Sequence, residues 1–203
     1  KQKIESHIDL KEAEVLDAFT TNFDVQRKET IWLPGEKADS FRAEGISLVK
    51  KYHSEMSPKI QPVAVQEMIK VNFSNLDVEF WAVPDILTDS RLIIDNKVTG
   101  KTPTQEDADK SLQASSYSLA YRAKYNKIER GFIFHNMLRR KSGARFLPIS
   151  TTRTDKQINR FLKIIGHVIH GIREKIYHPC NPENNWRCSI KWCGYYEICH
   201  ERF

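Results

Sequence analysis

Glu79-Phe80-Trp81-Ala82-Val83-Pro84-Asp85-Ile86-Leu87-Thr88-Asp89-Ser90-Arg91-Leu92-Ile93-Ile94-Asp95-Asn96-Lys97 is the stretch on which the reading of this 203-residue chain turns. It consists of two apolar, β-rich runs joined by the turn chemistry of Thr88-Asp89-Ser90, the pattern of a β-hairpin. The first run delivers Asp85 and the second delivers Asp95 and Lys97. Side chains alternate across a strand, so Ile93, Asp95 and Lys97 share a face. Carboxylates and an ammonium group at the end of a buried strand are costly to desolvate. A divalent cation and a water to be activated would justify the cost.

Working outward on the N-terminal side, residues 62–73 read with period two as a strand. Val63, Val65, Glu67, Ile69, Val71 and Phe73 fall on one face, which makes Glu67 a carboxylate on the apolar side and a third candidate for the site. Before it, residues 9–24 read as a helix capped by Asp9 with Glu12 three residues on. A second helix starts near Asp39 and carries Phe41, Gly45, Leu48, Val49 and Tyr52 on one stripe. On the C-terminal side a helix is expected over 104–125, with small residues (Ala108, Ser115, Ser116, Ala120) suited to close packing on a sheet. Gln113 and Tyr117, four apart, share a face of it. Two strands, Ile128 to Met137 and Arg145 to Thr151, flank the basic turn Arg139-Arg140-Lys141-Ser142-Gly143, read as a solvated loop. A last long helix spans about 155–176. The order α-α-β-β-β-α-β-β-α makes this an α/β domain, a mixed β-sheet flanked by helices.

Composition narrows the class of partner. Lys and Arg outnumber Asp and Glu by 32 to 26, a net charge of +6, which favours a polyanion such as nucleic acid. No run approaches membrane-spanning length and no signal peptide opens the chain, so the expected setting is cytoplasmic with no membrane partner. All four cysteines, Cys180, Cys188, Cys193 and Cys199, fall in the last 24 residues. That clustering fits a reducing compartment better than a secreted disulfide scaffold.

A lone D-x-K triplet is weak, but this one has Pro84-Asp85 ten residues upstream of Asp95 across a tight turn. Pro84-Asp85 followed by Asp95-Asn96-Lys97 resembles the PD-(D/E)XK nuclease superfamily. Within it, Ala82-Val83-Pro84-Asp85, Asp95-Asn96-Lys97 and Gln113-Ala114-Ser115-Ser116-Tyr117 resemble the G-x-x-D, D-x-K and Q-x-x-x-Y motifs of RecB-type exonucleases. The resemblance implies a restriction-endonuclease-like core and a metal-dependent deoxyribonuclease, exonucleolytic in action, in bacterial or phage recombination or repair. It further implies Mg²⁺ or Mn²⁺ held by Asp85, Asp95 and the Asn96 carbonyl, with Glu67 assisting. Lys97 would hold the attacking water and the phosphate, and Gln113 and Tyr117 would orient the DNA strand, packing of helix on sheet being their other reading. DNA is the implied partner, with a helicase or single-strand annealing protein as an accessory.

Two departures stand out. Ala82 replaces the family glycine while Pro84 removes a ladder donor, which predicts a bulged strand end. The family's G-x-x-x-H helix is not found; His7 and His53, the histidines before the hairpin, do not follow a glycine at that spacing. The chain begins at Lys1 rather than Met. The expectation is therefore a nuclease-like domain over 1–176 lacking an N-terminal part that carries the histidine, weak in metal binding and in cleavage. A cysteine-bearing tail, 177–203, belongs to the same domain. Cys193-x5-Cys199 resembles the end of an iron–sulfur ligand set in some RecB-type nucleases. The intervals of seven, four and five lack a C-x-x-C pair, and zinc or packed thiols are the alternatives. Two other functional readings stand beside the nuclease. One is a catalytically silent nuclease-fold module that binds nucleic acid or protein, the other a metal-binding interaction domain centred on the tail.

Overall fold

The computed structural model describes residues 2–73, 77–140, 143–176 and 186–202, with side chains through 199. In chain order the elements are α1 (Gln2–Ser6), α2 (Glu12–Gln26), α3 (Ala38–Glu55), a single 3₁₀ turn (Ser57–Lys59), β1 (Pro62–Val65), β2 (Ile69–Phe73), β3 (Val78–Ala82), β4 (Ile86–Thr88) and β5 (Leu92–Thr99). Then follow α4 (Gln105–Lys110), α5 (Leu112–Tyr125), β6 (Gly131–Leu138), β7 (Arg145–Thr151), α6 (Asp155–Arg173) and α7 (Tyr196–Arg202). The chain divides into two compact units, Lys1–Phe161 and Leu162–Phe203, with the boundary inside α6. No helix among the described residues is long and apolar enough to cross a membrane.

The first unit is built on a five-stranded mixed sheet, ordered β1-β4-β5-β6-β7, beside a two-stranded sheet of β2 and β3. β5 and β6 run parallel, with α4 and α5 as the crossover, and every other pair is antiparallel. The α/β architecture with a mixed sheet is as the element pattern predicts.

Two single strands of the sequence reading are each two strands. The run 62–73 breaks at Gln66-Glu67-Met68 and the run 79–88 breaks at Val83-Pro84-Asp85. The two breaks lie opposite each other. Val65 pairs with Ile86 and Ile69 with Ala82, and between them the Gln66 amide donates to the Asp85 carbonyl at 3.0 Å. The ladder thus keeps one register through a hinge. Gln66 adopts a left-handed φ of 48°, and buried Pro84 has no amide to contribute to pairing. The bulge expected at Pro84 is in fact a change of sheet. Beyond the hinge, β2 and β3 bring Ile69 and Ala82 into the same core as Leu87, Ile93, Phe132 and Phe134.

The predicted helix 104–125 is likewise interrupted. Ser111 is extended (φ −61°, ψ 120°), caps α5 through its side chain on the Ala114 amide, and turns the chain between α4 and α5. Ala114, Ser118 and Ala120 are fully buried, so small side chains let α5 lie close on the sheet. Leu112, at the start of α5, is exposed. Upstream, α2 begins after Lys11 rather than at Asp9. Asp9 instead binds Lys3 at 2.8 Å and the Ser57 hydroxyl. Gly45 on α3 is where a β-carbon would collide with the Phe19 ring of α2, so that contact depends on its missing side chain. β6 starts three residues later than read, leaving Ile128 exposed. At the start of α6, Phe161 packs edge-on against Phe80, centroids 6.3 Å apart.

In the second unit, residues 186–195 form successive turns that lead into α7. Val168 and Ile172 of α6 are exposed.

Candidate active site

The hairpin of β4 and β5 is tied at its tip by Thr88. Its hydroxyl accepts from the Leu92 amide at 2.9 Å, and the turn closes through Arg91, in a left-handed conformation, donating to the Thr88 carbonyl. Ile86 pairs with Ile94, so Asp85 stands one step beyond that pair, opposite Asp95. The Asn96 amide donates to Asp85 Oδ2 at 2.8 Å, which fixes the carboxylate at the mouth of the hairpin. The hinge at Pro84 therefore places Asp85 where the two strands separate.

Asp95 is 3% exposed. Its Oδ1 accepts from Gln113 Nε2 at 2.8 Å, and the same nitrogen reaches the Tyr117 hydroxyl at 3.2 Å. Lys97 Nζ stands 2.7 Å from Asp95 Oδ2. Apart from this ion pair, Oδ2 has no hydrogen-bond partner among the described residues. Burial pushes the Asp95 carboxyl above its ordinary pKa and the charge on Asp85 adds to this; the bonds to Lys97 and Gln113 pull the other way. A buried carboxylate oxygen whose one counter-charge is the part-exposed Lys97 ammonium, beside a second carboxylate, is a place a hard cation would satisfy. The residues present fit Mg²⁺ or Mn²⁺ on that ground.

Lys97 is 42% exposed along its side chain. With Gln113, Thr104, Ser111 and Asn136 it lines a cavity of about 260 Å³. A larger one, about 390 Å³, touches neither Asp95 nor Lys97. It is lined by Tyr52, Asn96, Met137, Lys3, Asp9 and His53. Asn96 is adjacent to Asp95 and so points to the opposite face, where its register partner on β6 is His135. His135, 2% exposed, has Nδ1 3.4 Å from the Tyr52 hydroxyl. Burial lowers its pKa to about 4 and raises that of Tyr52 to about 12. This neutral buried pair, behind the strand that carries the aspartates, escapes a reading of the sequence. It depends on the parallel register of β5 and β6, set by a crossover of more than thirty residues.

Of the residues named from the sequence, Asp85, Asp95, Asn96, Lys97, Gln113 and Tyr117 come together. Glu67 does not join them on a strand face. It lies in the hinge between β1 and β2, half exposed, and its carboxylate is ion-paired with Lys124 of α5. The period-two reading fails there because Gln66 turns the chain, and in β1 it is Pro62 and Ala64 that are buried while Val63 is exposed. His53 bonds the Leu10 carbonyl at 2.8 Å. Among the described residues no three His, Cys, Asp or Glu side chains form a group able to hold a metal, which leaves the iron–sulfur expectation without support. Cys188, Cys193 and Cys199 are partly buried; Cys180 lies outside the described residues. In the basic turn, Arg139 pairs with Glu44 at 3.4 Å and Arg140 donates to the Gly100 carbonyl at 2.8 Å.

No curated protein matches the chain in sequence. Among solved structures, a "Putative exonuclease" from Eubacterium rectale is similar with a TM-score of 0.57 at 11% identity, over 89% of this chain and 74% of its own. At that identity the likeness is one of fold. The protein SSO0001 aligns over 98% of this chain and 92% of its own at 12% identity, with a TM-score of 0.41. The family model of the PD-(D/E)XK nuclease superfamily matches residues 4–200, nearly the whole length. With its Pro84-Asp85 hinge, its Asp95-Asn96-Lys97 strand and this match, the chain belongs to the PD-(D/E)XK nuclease superfamily.

Proposed function

We propose that the chain is a metal-dependent DNA nuclease of the RecB type that removes nucleotides from DNA ends. The observation that carries this reading is the buried Asp95, held by Gln113, faced by Asp85 and contacted by Lys97 at the wall of an open cavity. Asp85, Asp95 and the Asn96 carbonyl are the oxygen donors for Mg²⁺ or Mn²⁺. When bound, the ion supplies Lewis-acid polarisation of the scissile phosphate and acidifies a water.

The chain's own groups do the rest. Lys97, on the cavity wall beside Asp95, presents its ammonium to a phosphate oxygen and offsets the charge that grows there as the phosphodiester is attacked. The Gln113 amide, bonded to both Asp95 Oδ1 and the Tyr117 hydroxyl, holds the carboxylate so that Oδ2 remains turned toward Lys97. The Asn96 amide does the same for Asp85. Both aspartates are thus oriented before substrate arrives. The RecB-type assignment draws on the Gln113 contact, since a Q-x-x-x-Y helix serving the D-x-K strand is that family's pattern.

A second reading, a catalytically silent module that binds nucleic acid, is favoured by one observation: no third acidic, histidine or cysteine side chain joins the two aspartates among the described residues. The deciding experiment is a Mg²⁺ and Mn²⁺ titration with end-labelled and internally labelled DNA, single- and double-stranded, with Lys97→Ala and Asp95→Asn alongside. Metal-dependent release of labelled ends that both variants lose supports the nuclease. Binding of DNA with no cleavage at any metal concentration refutes it and leaves the silent module.

A further inference from the structure

We propose that the turns of the second unit are a single-stranded nucleic-acid platform, on which bases stack against Trp186, Trp192 and Tyr195. The three rings are 63%, 58% and 75% exposed. Large aromatic side chains bury more apolar area than any others, and leaving three in water within ten residues forgoes that gain. Their arrangement is fixed by the main chain. The Trp192 and Cys193 amides both donate to the Ser189 carbonyl, at 3.0 and 2.9 Å, and the Ser189 hydroxyl donates back to the Trp186 carbonyl at 3.0 Å. This holds the two indoles edge to face, centroids 5.6 Å apart.

The charge on the platform identifies its occupant. The Arg187 guanidinium lies over the Trp186 ring at 5.3 Å and Lys191 Nζ over the Trp192 ring at 5.0 Å. Residues 186–199 contain these two cations and a single carboxylate, Glu197. A cation over each indole, next to the exposed Tyr195 ring, is the complement of a nucleotide, which brings a flat base and a phosphate on one flexible unit. Stacking reads the face of any base, so the platform would be tolerant of sequence, and a duplex, whose base faces are already covered, would not use it. An apolar protein surface would gain nothing from the two cations. The inference rests on the nuclease reading only for its biological sense; the binding itself does not require cleavage.

The test is therefore made without catalysis. In EDTA, fluorescently labelled (dT)20 is titrated with the full-length chain, and the anisotropy and the intrinsic tryptophan emission are recorded together. Binding with quenching of tryptophan emission is expected, and the Trp186→Ala/Trp192→Ala variant should bind about 5- to 150-fold more weakly per lost stacking contact. Tyr195→Ala, whose ring has no aromatic neighbour among the described contacts, should weaken (dT)20 binding without changing the far-ultraviolet circular dichroism, and Trp192→Phe should restore most of the affinity. A 20-mer of abasic nucleotides with the same phosphates should bind the wild type no better than (dT)20 binds the double variant. Equal affinity of wild type, the double variant and Tyr195→Ala for (dT)20, or equal affinity of the abasic strand and (dT)20, overturns the proposal. Stacking-dependent binding by a protein that never cleaves would refute the nuclease reading and leave this one standing. Cleavage of DNA by a protein whose tryptophan variants bind as the wild type does would do the reverse.

Discussion

Asp95 carries two opposed demands, and they can be separated by one atom. Its carboxylate is desolvated and accepts only one good hydrogen bond, so the folded state holds its proton more tightly than an unfolded chain would. A raised carboxyl pKa means that stability is present at low pH and declines as pH rises through the window above 3.8. Asp95→Asn removes the charge but keeps an acceptor for Gln113. It should raise the thermal midpoint of the metal-free protein at pH 7.5 by a few degrees while reducing cleavage to background; a lower midpoint would mean that Lys97 repays the burial in full. Lys97→Ala should slow cleavage by about 10²–10⁴, the range for a positioned acid–base group, with little effect on DNA affinity. His135 titrates with the opposite sign. Its folded pKa near 4 lies below the ordinary 6.5, so its contribution to stability is complete above pH 6.5 and is lost as pH falls toward 4. Urea unfolding of the wild type against His135→Asn should show a difference that shrinks over that window by an amount on the order of 3 kcal/mol. A pH-independent difference would mean that the imidazole keeps its ordinary pKa in the fold.

Elements around the site are held by two arginines, Arg153, which is buried, and Arg122, which is partly so. Arg153, after β7, donates to the Ser115 hydroxyl at 2.9 Å and to the carbonyls of Ala108 and Ser111, each at 2.9 Å, across the break between α4 and α5. Both carbonyls also accept from the main chain, Ala108 from the Ser111 amide at 3.3 Å and Ser111 from the Ser115 amide at 3.4 Å, and the arginine gives each a second, shorter bond that locks the break. Arg122 of α5 forms a bidentate pair with Glu129, both bonds 2.7 Å, and reaches Asp155 at 2.8 Å where α6 begins. The Glu129 carboxylate is almost fully buried, so Arg122→Ala leaves an unpaired charge inside the protein. Such losses cost about 3–5 kcal/mol, which urea unfolding would detect as a large fall in the midpoint. Because both arginines fix α5, from which Gln113 extends to Asp95, Arg153→Ala should also reduce cleavage in the fraction that remains folded. Full activity per folded molecule would show that α5 holds Gln113 unaided.

At the scale of the molecule, an ion that binds only the folded site must stabilise the whole fold by linkage. Raising Mn²⁺ from micromolar to ten millimolar should lift the thermal midpoint of the wild type, and should leave Asp85→Asn and Asp95→Asn nearly unmoved. An equal rise in all three proteins would place the ion elsewhere. The sequence alone determined much of this chain. The mixed α/β order, the Thr88 turn and the pairing of Asp85 with Asp95-Asn96-Lys97 were legible because they are local: turn chemistry, alternation over a few residues and motif spacing act within one hairpin. Gln113 and Tyr117 were legible as a pair on one helix face, but their motif assigned them to the DNA strand, and the bond from Gln113 to Asp95 came from the structure. The tertiary structure decided what depends on distant pairing. It split two apparently continuous strands at one shared hinge, since Gln66 and Pro84 break the ladder only where the two runs face each other. It withdrew Glu67 from the strand face because one left-handed residue reverses a period-two pattern. It set His135 behind Asn96, because a parallel register fixed across a helical crossover is a property of the packed core and is written in no single stretch of the chain.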